Sequence, residues 1–157
     1  MKFVLLMIGK TNREPLQKLI QDYQTRIQHY LNFEAIVIPE LKNTKNLSVL
    51  EQKEKEADLI IKQINNQDEI ILLDEKGKSF TSLAFSEYVA KKLLSSGKRM
   101  VFVVGGPFGF SQRIYDRANG MIAMSSMTFS HQMIRLIFTE QLYRAMTIIC
   151  GESYHHE

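Results

Sequence analysis

The chain has 157 residues, 45% of them hydrophobic and 24% charged, with a formal net charge of +3. That balance suits one globular domain whose core needs no disulfide or metal, and a lone cysteine, Cys150, excludes an internal disulfide and points to a reducing compartment. No stretch nears the roughly 20 apolar residues of a membrane span, and the mildly basic charge permits an anionic partner such as RNA without requiring one.

The opening run 2–8 (KFVLLMI) predicts a strand buried on both faces. It is too short for a signal-peptide core and runs into Gly9-Lys10 with no small-residue cleavage site, so a cytoplasmic protein is expected. Residues 14–31 predict an amphipathic helix, with Leu16, Leu19, Ile20, Tyr23, Ile27 and Tyr30 at helical spacing and Pro15 suited to the first turn. Residues 33–38 (FEAIVI) form a second expected strand. Ser48 and Glu51 make a capping box for a helix carrying Ala57, Ile60, Ile61 and Ile64 on one face; Glu51 to Glu56 reads as its solvated face.

A third strand is expected at 69–73 (EIILL), followed by a loop through Lys78. A helix over about 82–95 follows, with Gly97 as its C-cap. Residues 99–104 (RMVFVV) predict a fourth strand, leading into the loop Gly105-Gly106-Pro107-Phe108-Gly109-Phe110. A short helix after Ser111 stops near Asn119-Gly120, and 121–124 (MIAM) is the weakest strand signal. A last helix over 131–147 carries Met133, Ile134, Ile137, Phe138, Leu142 and Ala145. Strand and helix alternate without repeat or linker, which predicts an α/β fold: a single domain over 1–157, with a parallel sheet flanked by helices.

Ligands of open parallel sheets bind beyond the carboxyl ends of the strands. Three loops there stand out: 72–78, 105–110 and 125–131. The glycine loop lacks the Lys-Ser/Thr pair of a phosphate-binding P-loop and the spacing of a dinucleotide fingerprint. Its glycines allow close approach of backbone to a ligand, so bulk at Gly106 is expected to block binding; a tight turn is the alternative. The loop Ser125 to Ser130 has no carboxylate pair and no metal-ligand spacing. It suits a neutral, partly apolar ligand, such as an adenine ring and a thioether, held mainly by backbone groups. His131 reads equally as a first-turn polar residue or a site residue, and Tyr154-His155-His156-Glu157 as a frayed tail or a functional end. Cys150, with no catalytic signature, reads as a core or buried-edge residue.

At these loops the chain resembles the RlmH family, the bacterial pseudouridine N3-methyltransferases of the large ribosomal subunit, within the SPOUT superfamily. The carrying motifs run along the whole chain: Ile8-Gly9-Lys10, Leu73-Asp74 with Gly77-Lys78, and Gly105-Gly106-Pro107-Phe108-Gly109. Met127 to Arg135, Glu140 to Ala145 and the terminal Tyr154-His155 complete the set. The resemblance implies a C-terminal trefoil knot, a feature otherwise close to absent from proteins. It implies S-adenosylmethionine as cofactor, held by Leu73, Gly105, Met124, Ser125, Ser126, Met127, Thr128 and Phe129. It also implies a homodimer with the substrate site shared between subunits, and as substrate a pseudouridine of 23S ribosomal RNA in the assembled ribosome. Ser130 stands where the family often has proline, implying a less rigid loop, and His156 where it commonly has a basic residue.

Methylation at N3 of a pseudouridine needs the N3 proton to leave, so a base or a clamp on the developing anion is expected; no metal is. Catalytic roles fall to His155 for proton handling and Tyr154 for stacking on or hydrogen-bonding the base. Arg135 or Arg144 is expected to contact phosphate or to pack in the dimer, with a structural ion pair as the other role for Arg144. The alternative function is a non-catalytic RNA- or ribosome-binding module on the same fold.

Overall fold

The computed structural model describes residues 1–97 and 99–156; Lys98 and Glu157, the last residue of the expected tail, lie outside the described residues. In chain order the elements are β1 (Lys2–Ile8), α1 (Glu14–Gln28), β2 (Phe33–Ile38), a single 3-10 turn (Thr44–Asn46), α2 (Val49–Ile61), β3 (Glu69–Ser79), α3 (Ser82–Leu93), β4 (Arg99–Val104), α4 (Gln112–Arg117), β5 (Gly120–Ala123) and α5 (Met133–Ile149). Among the described residues the strands make one sheet in the order β2-β1-β4-β3-β5. Every pairing is parallel, so all the strands end at the same edge.

Because successive strand residues face opposite sides, the unbroken apolar run of β1 supplies two cores. Phe3, Leu5 and Met7 pack on one side with Ile27 of α1, Phe85 and Val89 of α3, and Phe138, Leu142 and Ala145 of α5. Val4, Leu6 and Ile8 pack on the other with Ala57 and Ile60 of α2 and Ile114 of α4. The rings of Phe102 and Phe138 meet at 4.7 Å between centroids, locking β4 to α5. The capping box forms as expected: the Ser48 hydroxyl accepts from Glu51 N–H at 3.1 Å, and the Glu51 carboxylate accepts from Ser48 N–H at 2.8 Å.

The structure departs from expectation at five places. α1 ends at Gln28, and α3 ends at Leu93 with Leu94 as its C-cap, short of Gly97. β3 runs on to Ser79: Leu73 and Lys78 both pair with Ile122, so Asp74 to Gly77 bulge out of the ladder before pairing resumes. The polar run 74–78 conceals this strand, because tertiary contacts with β5 and the 125–131 loop, not local preference, hold it in place. Glu56 is buried rather than solvated, and Cys150 is exposed at the end of α5 rather than packed.

Candidate functional site

Beyond the ends of β4 and β5, and beside the bulge of β3, lies a cleft of about 690 Å³, within the size range of small-molecule sites. Seven of the eight expected cofactor residues line it: Leu73, Gly105, Met124, Ser125, Met127, Thr128 and Phe129. Ser126 is exposed and does not join the lining. His131 and Ile134 close one side, Val104 and Ile122 form the floor, and Lys53, Asp74, Glu75 and Lys76 supply charge.

The β3 bulge and the 125–131 loop hold each other in place. Asp74 accepts from the Tyr115 hydroxyl at 2.5 Å and from Lys76 N–H at 2.8 Å. Burial, then the bond to Asp74, pushes the Tyr115 phenol above its ordinary pKa, so it stays a donor. The Thr128 hydroxyl donates to Glu75, and Met127 N–H donates to the Ser125 hydroxyl at 2.9 Å. Ser130 Oγ accepts from Met133 N–H at 3.1 Å and so satisfies the first amide of α5.

Two expectations about this region change. Gly106 borders the cleft, but a Cβ there would lie 2.2 Å from Oε2 of Glu56, so the space beside it belongs to a buried carboxylate rather than to a ligand. Burial is the main cause of a raised Glu56 pKa; the Glu40 charge adds to it and a bond from Gln52, at 3.1 Å, opposes it. Arg135 is fully buried and cannot reach a phosphate. Its guanidinium donates to the carbonyls of Ile8 at 2.7 Å, Gly9 at 2.8 Å and His131 at 3.0 Å. These bonds pin the start of α5 to the end of β1. Burial, and then the Arg135 charge, lower the His131 pKa and keep its imidazole neutral near pH 7.

The catalytic candidates lie elsewhere in the same chain. Gly151, at φ +71°, ends α5 in the left-handed conformation, and Glu152 N–H donates back to Thr147 C=O at 2.9 Å. This Schellman turn folds the tail back along α5 rather than leaving it frayed. Tyr154 then sits under the Arg144 guanidinium, 4.7 Å from its centroid, and edge-on to Tyr143 at 4.7 Å. Its hydroxyl donates to Glu140 Oε1 at 2.9 Å and lies 3.3 Å from the Tyr23 hydroxyl. Arg144 pairs with Glu140 at 2.6 Å and reaches His155 Nδ1 at 3.3 Å. Arg144 is thus an ion-pair partner that also touches the tail. Burial, followed by the bonds to Tyr23 and Glu140, raises the Tyr154 pKa, which fits a donor rather than a base. Neither Tyr154 nor His155 lines the cleft of its own chain. Glu140, Tyr143 and Tyr23 are members of this cluster that the sequence reading missed; the i, i+4 spacing of Glu140 and Arg144 was the available signal.

A family model described as "Predicted SPOUT methyltransferase" matches residues 1–155. Among curated proteins, the chain is 56% identical over 157 residues to the ribosomal RNA large subunit methyltransferase H of Parabacteroides distasonis, covering 100% of both chains. It is 53% identical to the protein of that name from Christiangramia forsetii, covering 99% of each, and 54% identical to that from Phocaeicola vulgatus, covering 100% of each.

Proposed function

The chain belongs to the SPOUT methyltransferase family, and on that premise we propose that it methylates N3 of a pseudouridine in 23S ribosomal RNA, with S-adenosylmethionine as donor. The relatives named above, alike from end to end, support a methyltransferase acting on large-subunit ribosomal RNA. The observation that carries the cofactor assignment is the cleft, where loops distant in sequence bring seven of the eight expected residues together. Its chemistry fits the donor: Leu73, Val104, Ile122 and Met124 offer apolar surface for an adenine ring. Asp74 and Glu75 match ammonium and sulfonium charge, and Lys53 and Lys76 match a carboxylate.

Bound there, the cofactor supplies an electrophilic methyl on a sulfonium. The protein's work is to hold the acceptor in line and to take the N3 proton. Tyr154, kept protonated with its hydroxyl held by Glu140, offers an aromatic ring against which the base can stack. His155 can accept a proton, and Arg144 beside it can offset the negative charge that develops on the base. Since the tail packs on α1 and α5 of its own chain, away from its own cleft, the reading requires a homodimer in which it serves the partner's cleft. The trefoil knot, the assembled ribosome as substrate and a cytoplasmic location belong to the same reading. Among the described residues no helix is long and apolar enough to cross a membrane, and no group of three His, Cys, Asp or Glu could hold a metal ion.

Titration calorimetry tests the cleft. S-adenosylmethionine should bind the isolated protein, while ATP, NAD and FMN should not, and Ser125→Trp should weaken binding at least tenfold in a folded protein. Unchanged affinity in that variant would remove the assignment.

A further inference from the structure

Several cations on the body of this protein have a carboxylate partner: Lys2 with Glu34, Arg26 with Asp22, Lys92 with Glu69, Arg99 with Asp68 and Arg113 with Glu54 and Asp58. The loops after β1 and β2 bring four unpaired cations together. Lys10, Arg13, Lys42 and Lys45 are all exposed, and none has an ion-pair partner among the described residues. The acidic groups nearby are committed elsewhere. Glu14 pairs with Lys18, Glu51 closes the α2 capping box, and the Glu40 carboxylate lies against Gly9 and interacts with the buried Arg135.

The sheet order places these loops. All strands run parallel, so the loops after β2, β1 and β4 lie side by side along one edge. At a strand spacing of roughly 5 Å, the β1 loop sits one strand from the glycine wall of the cleft and the β2 loop about 10 Å from it. The β1 loop is also bonded to the cleft loop: Gln132, next to His131, donates to Lys10 C=O at 3.1 Å and accepts from Asn12 N–H at 2.9 Å. Unpaired cations leading to a cleft are the arrangement that grips a polyanion and delivers one unit of it to the site.

We propose that Lys10, Arg13, Lys42 and Lys45 form a phosphate track that holds the RNA strand flanking the target base. This rests on the reading of the chain as an RNA methyltransferase and adds which surface grips the substrate. Lys42 and Lys45 lie farthest from the cleft, so neutralising them tests the track without disturbing the cofactor.

The test compares Lys42→Gln/Lys45→Gln with the wild type and with Lys62→Gln/Lys91→Gln. Those control cations also lack ion-pair partners among the described residues, but they follow or end helices α2 and α3, at the opposite edge of the sheet. Methyl transfer to ribosomes and calorimetric affinity for S-adenosylmethionine are measured across a salt series. The track predicts unchanged cofactor affinity, a KM for ribosomes raised about tenfold, and a log-log salt slope shallower by about 1.4 to 1.8 for two lost phosphate contacts; the control should match the wild type. An unaltered KM, an equal loss in the control, or a raised KM with an unaltered salt slope would each overturn the proposal, the last by pointing to a protein contact. A wild type that binds the cofactor but methylates no RNA would instead overturn the reading on which the track rests.

Discussion

Glu56 carries a carboxylate into a buried position where, among the described residues, its one side-chain hydrogen-bond partner is Gln52, and it occupies the volume that any side chain at residue 106 would need. Gly106→Ala should therefore cost about 1–3 kcal/mol by overpacking. In a Glu56→Ala background the same change should cost almost nothing, a coupling that a double-mutant cycle in chemical denaturation reads directly. Equal costs in both backgrounds would show that residue 106 is constrained by something else. The raised Glu56 pKa means that the fold prefers the protonated acid. Its favourable contribution is complete below the ordinary glutamate value and is lost as pH rises through the folded-state value. Glu56→Gln, which keeps shape and can still accept from Gln52, should raise the melting temperature at pH 7, with the gain vanishing below about pH 4.5. A gain independent of pH would contradict this. Glu56 and Arg135 were both misread from sequence for one reason: helical spacing assigns charged residues to solvent, and only long-range packing reveals a carboxylate under a loop or a guanidinium satisfied by carbonyls.

Among the elements, β1, β2 and β4 have the ends their apolar runs imply, because burial on both faces leaves a continuous signal in the chain. β3 does not, because Asp74 to Lys78 are polar and are held by β5 and the cleft loop rather than by local preference. Within the bulge the two strands approach closely at Gly77, where a Cβ would lie 2.6 Å from the backbone of Met121 and Ile122. Unlike the Glu56 side chain, that backbone cannot swing aside. Gly77→Ala should separate the bulge from β5, cost about 3 kcal/mol or more, and weaken cofactor binding through Asp74 and Glu75. No substitution at 121 or 122 should rescue it; normal cofactor affinity in the variant would show that the bulge does not shape the cleft. The cleft loops were legible from strand ends and glycines. The docked tail was not, because its partners on α1 and α5 become neighbours only through the fold.

For the whole molecule, the separation between the tail cluster and the cleft of the same chain is the feature on which the proposed homodimer rests. A mixed dimer isolates it: one subunit lacks residues 154–157, the other carries Ser125→Trp. Each homodimer should be inactive. If tails act across a two-fold interface, the mixed dimer regains one intact site, made of the truncated subunit's cleft and the other's tail, with up to half the activity of the wild type. Background activity in a verified mixed dimer would place both parts in one chain. A net charge of only +3 also limits non-specific attraction to RNA, so a naked hairpin should be methylated far more slowly than ribosomes. Equal rates would show that the hairpin alone is recognised. The central claim is met most directly by incubating the protein with labelled S-adenosylmethionine and ribosomes that lack the modification, then mapping the label. The account predicts label on N3 of a single pseudouridine of 23S RNA, absent with Ser125→Trp. Transfer to another atom or nucleotide, or no transfer by a protein that binds the cofactor, would contradict it.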